Sequence, residues 1–296
     1  MKSIHIPIKS LMPEPADDGV EFMPMPREMN TFSMPRLPEP GPGHDVAGAR
    51  DVLQAFLGHF KTWLDVGGEP PALDLAGLAP DALRVLNETL GEGEVAAIVQ
   101  AGGEVRIQET VFSGVWRQQH FAAGGGPSDQ LAPHGALLHD YLLAAAIPPI
   151  LPALAQQTSS ARLRALPLPA GAMNVPALVN ELQEAMDRCG AACEPHVLNL
   201  TLLPLSPEDA AHLDALLAGG SVVILSRGFG NCRISSTAAR HVWRVQYFNN
   251  MQTLILNTIE VVELPEVAMA AAEDLAESHS RLVELVQWMS ESLVSA

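Results

Sequence analysis

The residues best suited to chemistry by type and spacing are two glutamates alternating with glycines, in Leu90-Gly91-Glu92-Gly93-Glu94-Val95. Paired carboxylates can serve as general acid and base when a nucleophile or imidazole stands near. None lies close in sequence, so a polar helix-to-strand turn is the plainer reading. A second group is Cys189, Cys193 and His196, with the two thiols four residues apart at a helix end. Two thiolates and an imidazole could hold a soft metal, but Gly190 and Pro195 interrupt the spacing. A third is Cys232, which follows Gly228 and Gly230 and precedes Arg233. Strand alternation puts Arg233 on the opposite face, where it could lower the thiol pKa only weakly. A packed thiol is the simpler expectation. The chain carries no G-x-x-x-x-G-K-S/T, no G-x-S-x-G, no H-E-x-x-H and no C-x-x-C, so the phosphate-cradling, nucleophile-elbow and zinc-protease chemistries lack their motifs. Gly228-Phe229-Gly230 is a lone G-x-G on a hairpin, not a dinucleotide fingerprint. The expectation is a chain that is not an enzyme and carries no cofactor.

These residues sit on a duplicated framework. Shifted by 127, the stretch from Leu78 to Phe121 matches Leu205 to Phe248 without a gap, with 15 of 44 positions identical. Arg106 falls on Arg233, Ile107 on Ile234, and Val115-Trp116-Arg117 on Val242-Trp243-Arg244. Internal repeats bound the architecture before any local reading. Trp116, Trp243, Ile107 and Ile234 recur in both copies and are expected to anchor the core of each. The cysteine–histidine group does not recur: the first copy has Leu64, Gly68 and Pro71 there. Nor do the two glutamates, since the second copy reads Leu217-Ala218-Gly219-Gly220-Ser221-Val222. The shared framework therefore does not demand them.

The acidic balance is strong: 34 Asp and Glu against 17 Lys and Arg, a net charge of −17, with only 3 of the basic residues Lys. That argues against nucleic acid and against an anionic membrane surface, both of which need a basic face. It permits a basic peptide as partner. No apolar run approaches the roughly 20 residues of a spanning helix, and the start lacks the basic-then-apolar pattern of a secretory signal. Three widely placed cysteines suggest free thiols and a reducing, cytoplasmic setting.

The elements that must position the candidates are read from periodicity. Residues 1–45 hold nine prolines and six methionines; proline removes amide donors, so an unstructured Pro/Met-rich tail is expected. Residues 46–147 form the first unit, 148–172 a Pro-rich linker and 173–296 the second unit. In the first, helices are expected near 47–64, 80–90 and 131–146, with strands at 72–75, 95–99, 105–110 and 115–121. In the second, Ser206-Pro207-Glu208-Asp209 is a strong helix start. The last helix should bury Leu275, Leu282, Leu285, Trp288 and Met289. Successive strands without intervening helices must pair antiparallel. The fold class is α+β: two homologous repeats, each a small antiparallel sheet packed with helices.

Several stretches together resemble a known family. Leu90-Gly-Glu-Gly-Glu-Val95, Gly228-Phe-Gly-Asn-Cys-Arg-Ile234, His241-Val-Trp-Arg-Val-Gln-Tyr-Phe248, Leu264-Pro-Glu-Val267 and Ala272-Glu-Asp-Leu275 are similar to the HupH/HyaF/HoxQ family. Its members are accessory proteins encoded with uptake nickel–iron hydrogenases. The resemblance spans about residues 70–290. It implies a non-catalytic maturation protein, a chaperone or scaffold for the Fe–S-bearing small subunit before export, acting beside a thioredoxin-like accessory protein and especially in air. That subunit's precursor carries a twin-arginine leader, basic near its start. The resemblance carries over no catalytic residue. Glu92, Glu94, Cys232 and Arg233 are the candidate partner contacts. Two other readings stay open: a carrier of an iron–sulfur cluster or metal in the same pathway, and an enzyme on an unrecognised substrate.

Overall fold

The structure, a computed structural model, describes residues 44–123, 135–189, 194–228 and 230–295. All but the last two residues of the Pro/Met-rich segment therefore lie outside the described residues. In chain order the elements are α1 (Val46–Val66), β1 (Ala72–Asp74), α2 (Pro80–Leu90), β2 (Val95–Gln100), β3 (Gly103–Glu109), β4 (Val115–Ala122) and β5 (Leu137–Ala144). Then come α3 (Ile150–Gln157), α4 (Val175–Arg188), β6 (His196–Asn199), α5 (Pro207–Leu217), β7 (Val222–Ser226) and β8 (Asn231–Ser236). β9 (Val242–Phe248), β10 (Leu254–Val261) and α6 (Ala272–Ser295) complete the chain. The class is α+β, and the named strand pairs are antiparallel.

Two compact units emerge, and they do not follow the expected blocks. One holds α1 to β5 together with β7 and α6, with strand order β1-β5-β4-β3-β2-β7. The other holds α4, β6, α5 and β8 to β10, with strand order β8-β9-β10-β6. β7 lies beside β2, its own counterpart at the 127-residue shift, in a register that pairs Ala97 with Ile224. Both strands are nearly continuous apolar runs, so each offers the other buried faces as well as a backbone edge. α6 packs on α1 and joins its core, where Leu53, Phe56, Phe60, Leu282 and Met289 are buried together. Along α6 the buried stripe is Leu275, Leu282, Leu285, Val286 and Met289, while Trp288 is exposed, contrary to expectation.

A larger correction concerns the end of the first block. The helix expected over 131–146 is instead a strand from Leu137 to Ala144, inserted between β4 and β1. Its apolar residues fit either period, and the unfilled edges of its two neighbours decide in favour of pairing. The Pro-rich stretch is also more than a linker. It contains α3, and beyond it Ser160 exchanges backbone hydrogen bonds with Ala238 and Arg240, both at 2.8 Å.

Interactions recur at the 127-residue interval. Thr110 Oγ1 accepts from the Phe112 amide at 3.2 Å, and Thr237 Oγ1 from the Ala239 amide at 3.1 Å. Trp116 and Trp243 are buried, and each indole N–H donates to a carbonyl, of Ala145 at 2.8 Å and of Glu263 at 3.2 Å. Arg117 pairs with Asp140 and Asn87; Arg244 pairs with Asp214, the counterpart of Asn87. Gly114 and His241 both adopt positive φ, 75° and 61°.

Two glycines hold the helix-to-strand turns. A Cβ on Gly93 would collide with the Thr110 carbonyl, and one on Gly220 with that of Ser236. Backbone cannot move aside as a side-chain tip can. Gly93→Ala and Gly220→Ala are each expected to cost about 1–3 kcal/mol in chemical denaturation. Gly58, exposed in the middle of α1 with open space around it, is the control: Gly58→Ala should stabilise by roughly 0.5–1 kcal/mol.

Candidate functional site

The Glu92–Glu94 loop is rigidly seated. α2 ends at Gly91, whose φ of 56° turns the chain out of the helix. The Gly93 amide then donates to the Glu109 carbonyl at 2.7 Å, and the Val111 amide to the Leu90 carbonyl at 2.9 Å. The Gln108 side-chain amide reaches the carbonyls of Gly93, Val95 and Glu109 at 3.0–3.3 Å. With the backbone held, Glu92 and Glu94 both stand exposed.

A third carboxylate lies behind them. Glu109, at the end of β3, is buried. Burial pushes its carboxyl above the usual carboxylate range; the Gly114 amide at 3.0 Å and the Ser113 hydroxyl at 3.4 Å oppose that, and the charge of Glu94 adds to it. Sequence reasoning passed over Glu109. The signal was present: at the 127-residue shift Glu94 falls on Ser221 and Glu109 on Ser236, so the two acids of the first copy are both serines in the second.

The other candidates separate. Cys232 is fully buried, facing Tyr247 across β8 and β9. Burial pushes its thiol up to about 12, opposed by its hydrogen bond with Tyr247. Burial likewise raises the Tyr247 phenol to about 12, and Glu260 on the same sheet face is also raised by burial. These groups pack on β8, β9 and β10, and Cys232 offers a partner neither access nor a thiolate. It is withdrawn as a contact. Arg233 is half-buried, and burial followed by the nearby Arg244 lowers its guanidinium to about 10, which leaves it charged at neutral pH.

The metal group is not assembled either. Cys189 is disulfide-bonded, which corrects the expectation of a free thiol there, whereas Cys232 is free; a disulfide sulfur presents no thiolate to a cation. Cys193 lies outside the described residues. His196 Nε2 meets Glu181 Oε1 at 3.0 Å. Among the described residues no cluster of three or more His, Cys, Asp or Glu side chains could hold a metal.

What the sequence did not single out is an apolar surface in the second unit. Met251 in the β9–β10 turn is 81% exposed, Leu202 after β6 is 79% and Ile255 on β10 is 56%. Leu254 on β10 is exposed as well, and so is Val197 on β6, which faces Glu260 towards the other end of β10. The segments adjoin: the Leu200 amide donates to the Asn257 carbonyl at 2.9 Å, and the Asn257 amide to Thr201 Oγ1 at 2.8 Å. β6 is the last strand of its sheet, so its outer edge keeps backbone donors and acceptors for another chain.

The raised Glu109 pKa has a signed consequence. The folded state holds this proton more tightly than the unfolded chain, whose value is near 4.5. Stability from this group is therefore complete below that pH and lost as pH rises through the folded value. Glu109→Gln keeps an oxygen for the Gly114 amide but has no charge to bury. Thermal melts should find the variant no more stable than wild type at pH 4 and more stable at pH 7.

The comparisons with known proteins agree with this framework. The family described as HupH hydrogenase expression protein, C-terminal conserved region, matches twice, over residues 46–165 and 172–289. The hydrogenase expression/formation protein HoxQ of Cupriavidus necator is 39% identical over 98% of this chain and 99% of its own length. HupH of Rhodobacter capsulatus is 37% identical over 97% and 98%. The hydrogenase-1 operon protein HyaF of Escherichia coli K12 is 33% identical over 94% of both chains. The chain therefore belongs to the HupH family of hydrogenase expression proteins.

Proposed function

We propose that the protein serves the maturation of a nickel–iron hydrogenase as a non-catalytic holder of the small subunit before export. The observation that carries this reading is the exposed apolar cluster of Met251, Leu254 and Ile255 at the β9–β10 turn, with Leu202 exposed after β6, on a sheet that ends in the open strand edge of β6. Exposed apolar side chains grouped at one turn, as Met251, Leu254 and Ile255 are, can mark an interaction site, and a strand edge can pair with an extended segment of an unfinished partner. The names of the relatives, hydrogenase expression and formation proteins, supply the pathway. Holding an immature subunit would shield its Fe–S clusters from oxygen, in the cytoplasm and alongside a thioredoxin-like accessory protein. In this reading the chain is a duplicated unit, supported by the double family match and by the interactions recurring at 127 residues. The Pro/Met-rich head would act as a docking strip.

Charge would act first and apolar contact second. A twin-arginine leader is basic near its start, and the excess of 17 acids here favours encounter with it. Association with the leader-bearing precursor should be faster than with the leaderless subunit at low ionic strength. The advantage should vanish near roughly 0.5 M salt, where the screening length is only a few Å. Glu92→Gln with Glu94→Gln should remove part of the advantage. Met251→Ser with Ile255→Ser should instead speed dissociation of both forms without moving the melting temperature. Equal, salt-independent association and no effect of the serine changes would refute the reading.

A further inference from the structure

We propose that His120 and His139 form a binding site for a divalent transition-metal cation, such as Cu²⁺ or Zn²⁺, on the open face of β4 and β5. The register places these two histidines directly opposite each other on adjacent strands. Their rings are perpendicular, with centroids 5.9 Å apart. A cation about 2.1 Å from one nitrogen of each ring would set the centroids roughly 5–6 Å apart. Small rotations about χ1 and χ2 therefore suffice to bring two nitrogens onto one ion.

The surroundings suit a ligand pair. The Gln118 side-chain nitrogen donates to His120 Nε2 at 2.8 Å; turned end for end, that amide would offer its oxygen to an Nε2–H and leave Nδ1 for the ion. Tyr141 stacks on His139 at 5.8 Å and meets His120 edge-on at 5.9 Å. The two rings of β5 thus hold each other upright. His139 is exposed and His120 half-buried, so an ion can enter from solvent.

The fold does not require this pair. At the 127-residue shift His120 becomes Tyr247, which faces Leu256; Gln118 becomes Val245, which faces Thr258. The same two-strand platform is thus built without imidazoles in the second copy. Two imidazoles leave the remaining coordination positions to water or to a side chain of an incoming protein. Cations that favour imidazole nitrogen are the class such a site takes.

The test is calorimetric titration of the full chain with Zn²⁺, and electron paramagnetic resonance with one equivalent of Cu²⁺. His139→Ala and His120→Ala should each weaken Zn²⁺ binding by about tenfold or more. Each should also reduce the nitrogen hyperfine pattern of Cu²⁺ from two imidazoles to one. His196→Ala, a histidine elsewhere, should change neither. Because His139 is exposed, its variant should melt like wild type without metal, so a folding defect cannot imitate the result. Wild type that takes up no Zn²⁺, or binding that survives both substitutions, would overturn the site.

Discussion

The contact between a glycine and the end of a neighbouring strand fixes where two of the strands, β2 and β7, begin. Gly93 and Gly220 lie so close to the carbonyls of Thr110 and Ser236 that no side chain fits. Each contact fixes where a helix hands over to a strand. At Gly93 it places β2 beside β3, and it aims Glu92 and Glu94 outward while Glu109 is sealed beneath. At Gly220 the same kind of contact sets the point from which the chain departs into β7, the strand that pairs with β2. An apolar strand without a partner would leave its amides and carbonyls unsatisfied, so the pairing of these two strands is a condition for either to be buried.

Much of the local structure was legible because its causes are local. The start of α5 shows a full capping box between Ser206 and Asp209, as the motif Ser-Pro-Glu-Asp foretells. Asp209 goes further than the motif: its carboxylate also accepts from the amides of Met173, Asn174 and Val175 at the start of α4. Although burial pushes that carboxyl up, these donors outweigh it and hold it at about 2. The three-and-four spacing of Leu53, Phe56, Leu57 and Phe60 likewise suffices for α1.

What was not legible depended on distant partners. β5 reads as a helix until β1 and β4 are known to flank it. β7 and α6 belong by sequence to the second block, yet pack in the first unit, because similarity between copies records sequence and not neighbours. Glu109 looked like one acid among many on a strand. Only its burial and its approach to Glu94 distinguish it. Cys232, on an alternating strand, was expected as a packed thiol, and it is buried against Tyr247. The exposure of Leu202, Met251 and Ile255 escaped notice because isolated apolar residues on short segments show no period.

In the proposed function, charge and apolar contact would divide the work of holding a partner. Acids act over distance and are screened by salt, whereas apolar side chains and an open strand edge act only at contact. A holder built this way needs no catalytic group. The central claim is that its client is the immature hydrogenase small subunit. The most direct measurement is capture of tagged protein from cells that are assembling hydrogenase, with the co-purifying chains identified by mass spectrometry. The account predicts the small-subunit precursor with its leader still attached. Recovery of the mature, leaderless subunit alone, or of no hydrogenase subunit, would contradict it.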